Sequence, residues 1–335
     1  MNLVHRRTVM VGGLTVISGL VVGGLPFSGA AQSARVKLKA GYNVVPIDAQ
    51  MHMAREAKVM EKYGLDATWI KFESGGAMVQ AIATGDIDFA SASEIPGIRP
   101  RLLGGKFNLV GQGATAPRFT GIYSRANIQK PADLVGKKVG LTMGTISEWY
   151  LGLYTERYGV PYDKIKTMAV APPEWIPALH RGDIDAFVGW EHFFSKADEI
   201  LPKGVGHLLH SGDVDNLYPQ PMYYYMSESL TRTEAGVNVM KAMMEAERMV
   251  VDDLQRAAAI SAAVANIDQA TSLKILKMVR YGVRLDKQSL ANMRGASRFL
   301  LSKKLIDREP EWQAFFNSAP LKAAAPDRVS LGDFK

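Results

Sequence analysis

The chain has 335 residues, of which 47% are hydrophobic and 22% are charged, and it contains no cysteine. This length predicts two domains with ample core, and the lack of cysteine excludes disulfides, thiolate metal sites and cysteine nucleophiles. The net charge of +7 would suit a nucleic-acid partner if the 40 Lys and Arg residues clustered, but the longest basic runs are pairs such as Lys137-Lys138. We therefore expect a solvated, mixed-charge surface and no nucleic-acid partner.

The first thirty residues have the order of an export signal. Arg6 and Arg7 precede an apolar run over residues 9–22, and small residues follow as far as Ala30. The apolar run is shorter than the roughly 20 residues that a membrane-spanning helix needs. The sequence therefore predicts a signal peptide over residues 1–30 that is cleaved on export, which leaves a net charge of +5. The paired arginines leave open whether export follows the twin-arginine or the general route.

Strand and helix patterns alternate after this segment. Residues 36–40 alternate apolar and polar side chains as a strand does, and residues 47–63 have helical spacing that ends at Gly64. A second strand is predicted over residues 67–72, a short helix over residues 77–84 and a third strand over residues 86–92. This order is typical of a parallel α/β sheet covered by helices.

One part of this unit occurs twice. Residues 81–88 and 178–185 share the pattern Ala-x-x-x-Gly-Asp-Ile-Asp at a displacement of 97 residues. Around the second copy, strands are predicted over residues 138–141, 165–170 and 186–190, with helices between them. A period of 97 residues is too long for a solenoid repeat. The sequence therefore predicts two similar βαβ lobes.

The last hundred residues are rich in Ala and Met and predict mainly helices. Their periodicity favours helices over residues 237–254, 256–265, 272–281 and 290–300. From residue 321 onward, we expect a loosely held tail.

Several short motifs, in this order and spacing, resemble one family over roughly residues 36–300. They are residues 41–42, 63–65, 72–76, 83–88, 134–140, 182–186 and 190–191. The sequence is similar to the periplasmic solute-binding proteins of ABC importers in the aliphatic sulfonate, taurine and nitrate group. His192 is a departure, because the family often has Pro after the Trp-Glu pair.

The resemblance implies an α/β fold, a two-lobe periplasmic-binding-protein clamshell of type II. Each lobe would be a mainly parallel sheet flanked by helices, and the chain would cross between lobes near residues 123–127 and 223–227. Lobe one would then hold residues 35–123 plus 224–310, lobe two residues 124–223, and residues 311–335 would be the C-terminal tail.

In such sheets, ligands lie beyond the carboxyl ends of the strands, where helix N-termini offer free N–H groups. Two predicted turns fit an anion such as a sulfonate, because glycine allows close approach and hydroxyls add donors. They contain Ser74, Gly75 and Gly76 in lobe one and Thr142, Gly144 and Thr145 in lobe two. The alternative is that both turns are ordinary helix caps.

Other residues at predicted strand ends complete the candidate ligand-binding set. Arg118 is a candidate anion contact, the tryptophans a candidate wall, and the glutamates candidate acceptors for a ligand ammonium, although core packing or capping would also explain each. These residues are Tyr42, Asn43, Ser93, Glu94, Arg118, Glu174, Trp175, Trp190 and Glu191.

The sequence contains no zinc-protease, nucleophile-elbow or phosphate-loop motif. We therefore expect no enzyme, no catalytic residue, no cofactor and no metal. The resemblance implies a monomeric periplasmic receptor that delivers a small anionic or zwitterionic solute, organosulfonate or taurine-like, to an inner-membrane ABC permease with its ATPase. The alternatives are the same fold binding nitrate, a pyrimidine precursor or an aromatic acid, a solute-sensing domain, or a pyrimidine-precursor enzyme.

Overall fold

The computed structural model describes residues 35–334 of the chain. The predicted signal peptide over residues 1–30 lies outside these residues. Within residues 35–334, no helix combines the length and the apolar character that crossing a bilayer requires.

The strands of the described chain form two sheets. They are β1 (Val36–Asn43), β2 (Leu65–Phe72), β3 (Phe89–Ala92), β4 (Phe107–Ala116), β5 (Thr120–Arg125), β6 (Lys138–Leu141), β7 (Lys166–Ala169), β8 (Ala186–Trp190), β9 (Gly206–Ser211), β10 (Gln220–Ser227), β11 (Arg280–Asp286) and β12 (Val329–Ser330). The first sheet has the order β12-β11-β4-β10-β3-β1-β2, and the second has the order β7-β6-β8-β5-β9.

Helices connect and cover these strands. They are α1 (Ala49–Glu56), α2 (Val59–Lys62), α3 (Gly75–Thr84), α4 (Ile95–Leu102), α5 (Ile146–Arg157), α6 (Trp175–Arg181), α7 (Glu191–Ile200), α8 (Glu228–Thr231), α9 (Glu234–Asp252), α10 (Leu254–Ala265), α11 (Gln269–Lys277), α12 (Lys287–Ser302), α13 (Trp312–Phe315) and α14 (Ala319–Ala324).

Both sheets are mixed rather than mainly parallel as predicted. In the first sheet, β1 is parallel to β2 and β3, whereas β10 runs antiparallel to β3 and β4. In the second sheet, β6 is parallel to β7 and β8, whereas β5 runs antiparallel to β8 and β9. The antiparallel pairs all involve β4, β5, β9 or β10, the strands along which the chain leaves one sheet or enters the other.

The 97-residue repeat has the same geometry in both sheets. Gly85 and Gly182 each adopt φ of +82° after α3 and α6, the left-handed conformation that ends a helix. Asp88 accepts a 2.8 Å hydrogen bond from the backbone N–H of Lys39 in β1, and Asp185 accepts one of the same length from the backbone N–H of Lys138 in β6. The repeated aspartate therefore joins two strands of each βαβ unit.

The crossings between sheets lie several residues before the predicted positions. The chain passes from β4 to β5 over residues 117–119 and returns from β9 to β10 over residues 212–219. Residues 120–123 consequently belong to the second sheet and residues 220–223 to the first, so the predicted lobe limits at residues 123 and 223 are wrong.

Residues 223–225 lie in β10, in the interior of the first sheet, and not at the crossing that was predicted near residues 223–227. Tyr223, Tyr224 and Tyr225 alternate between helical layers on the two faces of that sheet. The hydroxyl of Tyr223 donates to the Ser289 carbonyl of α12, and that of Tyr224 donates to Gln50 Oε1 of α1. The strand β10 is therefore buried on both faces of the sheet.

The C-terminal segment is part of the core, which corrects the prediction of a loosely held tail. Phe315 and Leu321 are fully buried, and β12 pairs in parallel with β11. The helix predicted over residues 272–281 also ends early, at Lys277, and β11 follows it. Val283 and Leu285 of β11 are buried at a spacing of two, as a strand requires.

The helix predicted over residues 47–63 is interrupted. Lys58 has φ of +51° and separates α1 from α2. Such a left-handed residue interrupts the helical hydrogen-bond pattern. The apolar residues keep a helical spacing on both sides of Lys58, so the sequence pattern did not indicate the break.

Candidate functional site

A cavity of about 460 Å³ lies where residues from both sheets meet. Asn43 and Ser74 line it from the first sheet, Thr142 and Trp190 line it from the second, and Phe119 lines it from the first crossing. Asn43 ends β1, Ser74 precedes α3 and Trp190 ends β8. The cavity is thus at the carboxyl ends of parallel strands, where α/β sheets bind ligands.

Eight of the fifteen predicted ligand-binding residues line this cavity. They are Asn43, Ser74, Gly75, Gly76, Ser93, Thr142, Thr145 and Trp190. Seven of these eight occur in the stretches that the sequence singled out for their polar atoms or glycines, at strand ends and helix starts. The structure therefore brings together much of the uncharged part of the predicted set and none of its charged residues.

The N-terminus of α3 presents unused hydrogen-bond donors to the cavity. No acceptor in residues 35–334 takes the backbone N–H of Gly75 or Gly76. Ser74 Oγ accepts from the Ala77 N–H at 3.3 Å, which leaves the hydroxyl hydrogen of Ser74 available. Ser93 is similar, since its carbonyl accepts from Tyr225 while its hydroxyl has no partner in the described chain. Four donors on the first-sheet side therefore suit an oxyanion.

The second predicted turn is occupied by the protein's own carboxylate. The N–H of Gly144 donates to Glu148 Oε2 at 2.9 Å, and Glu148 is buried. The hydroxyls of Thr142 and Thr145 already donate to backbone carbonyls at 3.4 and 2.7 Å. Because Glu148 places a negative charge near the N-terminus of α5, this end of the cavity is less suited to an anion than the α3 end.

The other seven predicted residues do not line the cavity. Gly144 bonds to Glu148 as described, Arg118 and Glu174 are exposed, and Trp175 is fully buried. The remaining three are Tyr42, Glu94 and Glu191.

These three residues have partners within the protein. The Tyr42 hydroxyl accepts from Arg55 at 2.9 Å, and Arg55 also lies over the Tyr42 ring. Glu191 is buried and pairs with Lys274 of α11 at 3.3 Å. None of them presents a free charge to the cavity.

Glu94 is fully buried and does not line the cavity. Its Oε2 accepts the hydroxyl of Tyr218 at 2.6 Å, while its Oε1 has no partner. Burial raises the pKa of Glu94 to about 8, since the hydrogen bond from Tyr218 only partly offsets the loss of solvation. At neutral pH this carboxyl is mainly protonated, so it offers little negative charge to a ligand ammonium.

Trp175 and Trp190 have different roles. The Trp175 ring stacks on Phe187 with centroids 5.5 Å apart, inside the core of the second sheet. Trp190 meets Trp175 edge-on at 4.9 Å and forms part of the cavity wall. Of the two predicted wall residues, only Trp190 lines the cavity, and Trp175 packs against it from the core.

Sequence reasoning missed the apolar part of the lining, the residues in or beside the crossings, and the ionisable residues Glu73 and His192. These are Val44, Val45, Glu73, Ala92, Pro96, Phe119, Ile146, Ala171, Pro172, Pro173, His192, Phe193, Gln220 and Met222. Most of them are close in sequence to residues that were predicted, so their position near a strand end could have indicated that they line the cavity. For Phe119, Gln220 and Met222, the correct position of the crossings was needed.

No Lys or Arg belongs to the cavity lining within the described chain, and the one carboxylate in it is Glu73. The Glu73 side chain is 78% exposed and lies 3.3 Å from Lys71. His192 carries no charge at neutral pH, because burial lowers its pKa to about 3. Among residues 35–334 there is also no cluster of His, Asp and Glu that could hold a metal ion.

Three lining residues carry buried polar atoms without a partner in the described chain. They are Oδ1 of Asn43, Nε1 of Trp190 and Nδ1 of His192. Buried polar atoms are normally paired, and unpaired ones often mark sites that water or a ligand completes. Their concentration around this cavity supports it as the functional site.

Part of the chain is similar in sequence to known proteins. Residues 49–202 match the model of a family described as NMT1/THI5 like. A putative aliphatic sulfonates-binding protein of Escherichia coli (strain K12) is 28% identical over 193 residues, which are 56% of this chain and 59% of that protein. The alignment therefore leaves about two fifths of that relative unmatched. The resemblance inferred from the sequence motifs is confirmed.

Solved structures share the fold at lower identity. The alkanesulfonate-binding protein SsuA from Xanthomonas axonopodis pv. citri, bound to MOPS, superposes with a TM-score of 0.74 at 19% identity, covering 84% of this chain and 98% of that one. A desulfurization enzyme, DSZB, superposes with a TM-score of 0.67 at 16% identity, covering 87% and 99%. The α/β two-sheet fold is thus confirmed, and it occurs in both a binding protein and an enzyme.

Proposed function

We propose that this chain, whose residues 49–202 are NMT1/THI5-like, is the periplasmic substrate-binding component of an ABC importer for an organosulfonate. One observation carries the proposal: the N–H groups of Gly75 and Gly76, with the hydroxyls of Ser74 and Ser93, face a cavity between the two sheets without acceptors. A sulfonate is a permanent anion with three acceptor oxygens. Several neutral donors can hold it without an arginine.

The two sheets would be the cores of two lobes that close around the solute. The two connecting segments, residues 117–119 and 212–219, are short, as a hinge between lobes requires. Closure stabilised by ligand contacts on both sides would shift the population toward the closed form. The permease would then recognise a surface that only the loaded receptor presents.

Related binding proteins support the receptor role. The Escherichia coli relative is described as binding aliphatic sulfonates, and the Xanthomonas structure as an alkanesulfonate-binding protein. Export by a cleaved signal peptide would place the receptor in the periplasm, and cell fractionation tests this location. Catalysis is tested by mass spectrometry of the solute after incubation, since a receptor returns it unchanged.

A thermal-shift panel tests the solute class. The purified protein is heated with alkanesulfonates, arenesulfonates, nitrate, a pyrimidine and benzoate. We expect sulfonates to raise the melting temperature, because a ligand that binds only the folded state stabilises it. A response to nitrate, pyrimidine or benzoate with none to any sulfonate would replace the organosulfonate with that solute.

A further inference from the structure

We propose that the organosulfonate carries an aromatic ring, and that the site selects against zwitterions of the taurine type. This inference rests on the proposed function and concerns the part of the ligand that the anion donors do not touch. The cavity volume of about 460 Å³ is far larger than a sulfonate group requires. What fills the rest is determined by the remaining lining.

Three rings from the second-sheet side form a continuous aromatic wall, which we define as Trp190, His192 and Phe193. The centroids of Trp190 and Phe193 lie 5.9 Å apart, and those of His192 and Phe193 lie 4.2 Å apart. All three residues line the cavity. Aromatic side chains favour contact with another ring, in stacked or edge-on geometry, beyond the simple burial of apolar surface.

Apolar side chains from the first-sheet side and from beside the crossings line the rest of the cavity near the aromatic wall. Val45 and Pro96 line the cavity from the first-sheet side, and Phe119 and Met222 line it beside the crossings. A ligand ring held there would be shielded from water on both of its faces. The lining thus combines one polar end, at α3, with an apolar body.

A ligand ammonium has no suitable partner in this apolar body. Neither Glu94 nor Glu174 lines the cavity: Glu94 is buried and accepts a hydrogen bond from Tyr218, and Glu174 is exposed. Glu191 pairs with Lys274 at 3.3 Å. Glu73 is solvated, pairs with Lys71 and directly precedes the sulfonate donors. An ammonium would therefore lose hydration without gaining a buried carboxylate.

Isothermal titration of the purified protein with benzenesulfonate, 1-butanesulfonate, taurine and benzenesulfonamide tests the inference. We expect benzenesulfonate to bind at least about tenfold more tightly than taurine, and more tightly than the uncharged benzenesulfonamide. Taurine binding as tightly as benzenesulfonate would overturn the inference and leave the sulfonate receptor intact. Failure of all three sulfonates to bind would overturn the proposed function as well.

The variant Phe193→Leu tests the aromatic wall itself. It keeps an apolar side chain, so it should weaken benzenesulfonate severalfold while leaving 1-butanesulfonate nearly unchanged. Butanesulfonate thereby reports whether the variant still folds and holds the anion. An equal loss for both ligands, or no loss for either, would contradict the assignment of the wall as the ring-binding surface.

Discussion

The hydroxyl of Tyr218 donates a 2.6 Å hydrogen bond to Oε2 of Glu94, which joins the segment returning from the second sheet to the residue that precedes α4. Burial raises the pKa of Glu94 to about 8, well above its ordinary value of 4.5, and burial likewise raises the pKa of Asp48 to about 7. The folded protein therefore holds these protons more tightly than the unfolded chain does.

This relationship predicts how stability depends on pH. Because Glu94 binds its proton more tightly when folded, the free energy of unfolding should fall as the pH rises from about 4.5 to about 8. Glu94→Gln removes this titration, so the stability of the variant relative to the wild type should increase with pH across that window. Urea denaturation at about pH 5 and about pH 9 measures the difference.

The exposed Glu174 provides the control for Glu94. Glu174→Gln should change stability by a small amount that is nearly the same at both pH values. Parallel pH profiles for wild type and Glu94→Gln would contradict the assignment of a proton to Glu94.

The donors at α3 can be tested by adding one methyl group. A β-carbon at Gly76 would meet only Ser74 Oγ, at 3.9 Å, so Gly76→Ala fits the protein while occupying space at the helix start. We expect sulfonate affinity to fall at least about tenfold. Thermal stability should stay the same or rise, since Ala costs roughly 0.5–1 kcal/mol less than Gly in a helix. Calorimetry and thermal melting measure the two effects.

Gly295 of α12 offers a matched substitution away from the cavity. A β-carbon there would lie 3.7 Å from Trp149 Cζ2, an ordinary contact. Gly295→Ala should therefore keep wild-type affinity. If Gly76→Ala also kept it, the anion would not bind at α3.

The contact between α5 and α12 predicts that substitutions at Gly152 and Phe299 have coupled effects on stability. A β-carbon at Gly152 would overlap the ring of Phe299, so Gly152→Ala should destabilise the protein by about 1–3 kcal/mol. Phe299→Ala in the same chain should recover part of that loss, because it removes the overlap. A double-mutant cycle by urea denaturation measures the coupling, and strictly additive effects would exclude the contact.

The buried C-terminal segment predicts a large effect near the end of the chain. Leu321 is fully buried in the main core, so Leu321→Ala should cost about 2–4 kcal/mol. The neighbouring Lys322 is exposed, and Lys322→Ala should cost less than about 0.5 kcal/mol. Equal, small effects would restore the prediction of a loose tail.

Local patterns predicted the repeated unit well. The glycines at residues 85 and 182 end helices in both sheets because a left-handed residue is needed there, a requirement visible in sequence. The same applies to Ser74, which caps α3 as its position before two glycines predicts. Features set by two or three adjacent residues could therefore be inferred without a structure.

Features set by distant contacts could not be predicted. Phe119 and Met222 meet in one cavity although about a hundred residues separate them. Trp175 follows a strand like the lining residues do, yet its ring stacks on Phe187 in the core. Nothing local distinguishes these outcomes, because the direction of a side chain depends on the packing of the whole unit.

A crystal structure of the protein with a bound organosulfonate tests the anion site at α3 directly. We expect sulfonate oxygens within about 3.2 Å of the backbone nitrogens of Gly75 and Gly76, with the organic part against Trp190 and Phe193. A sulfonate bound instead at the turn of Thr142 and Thr145, or outside the cavity, would contradict it.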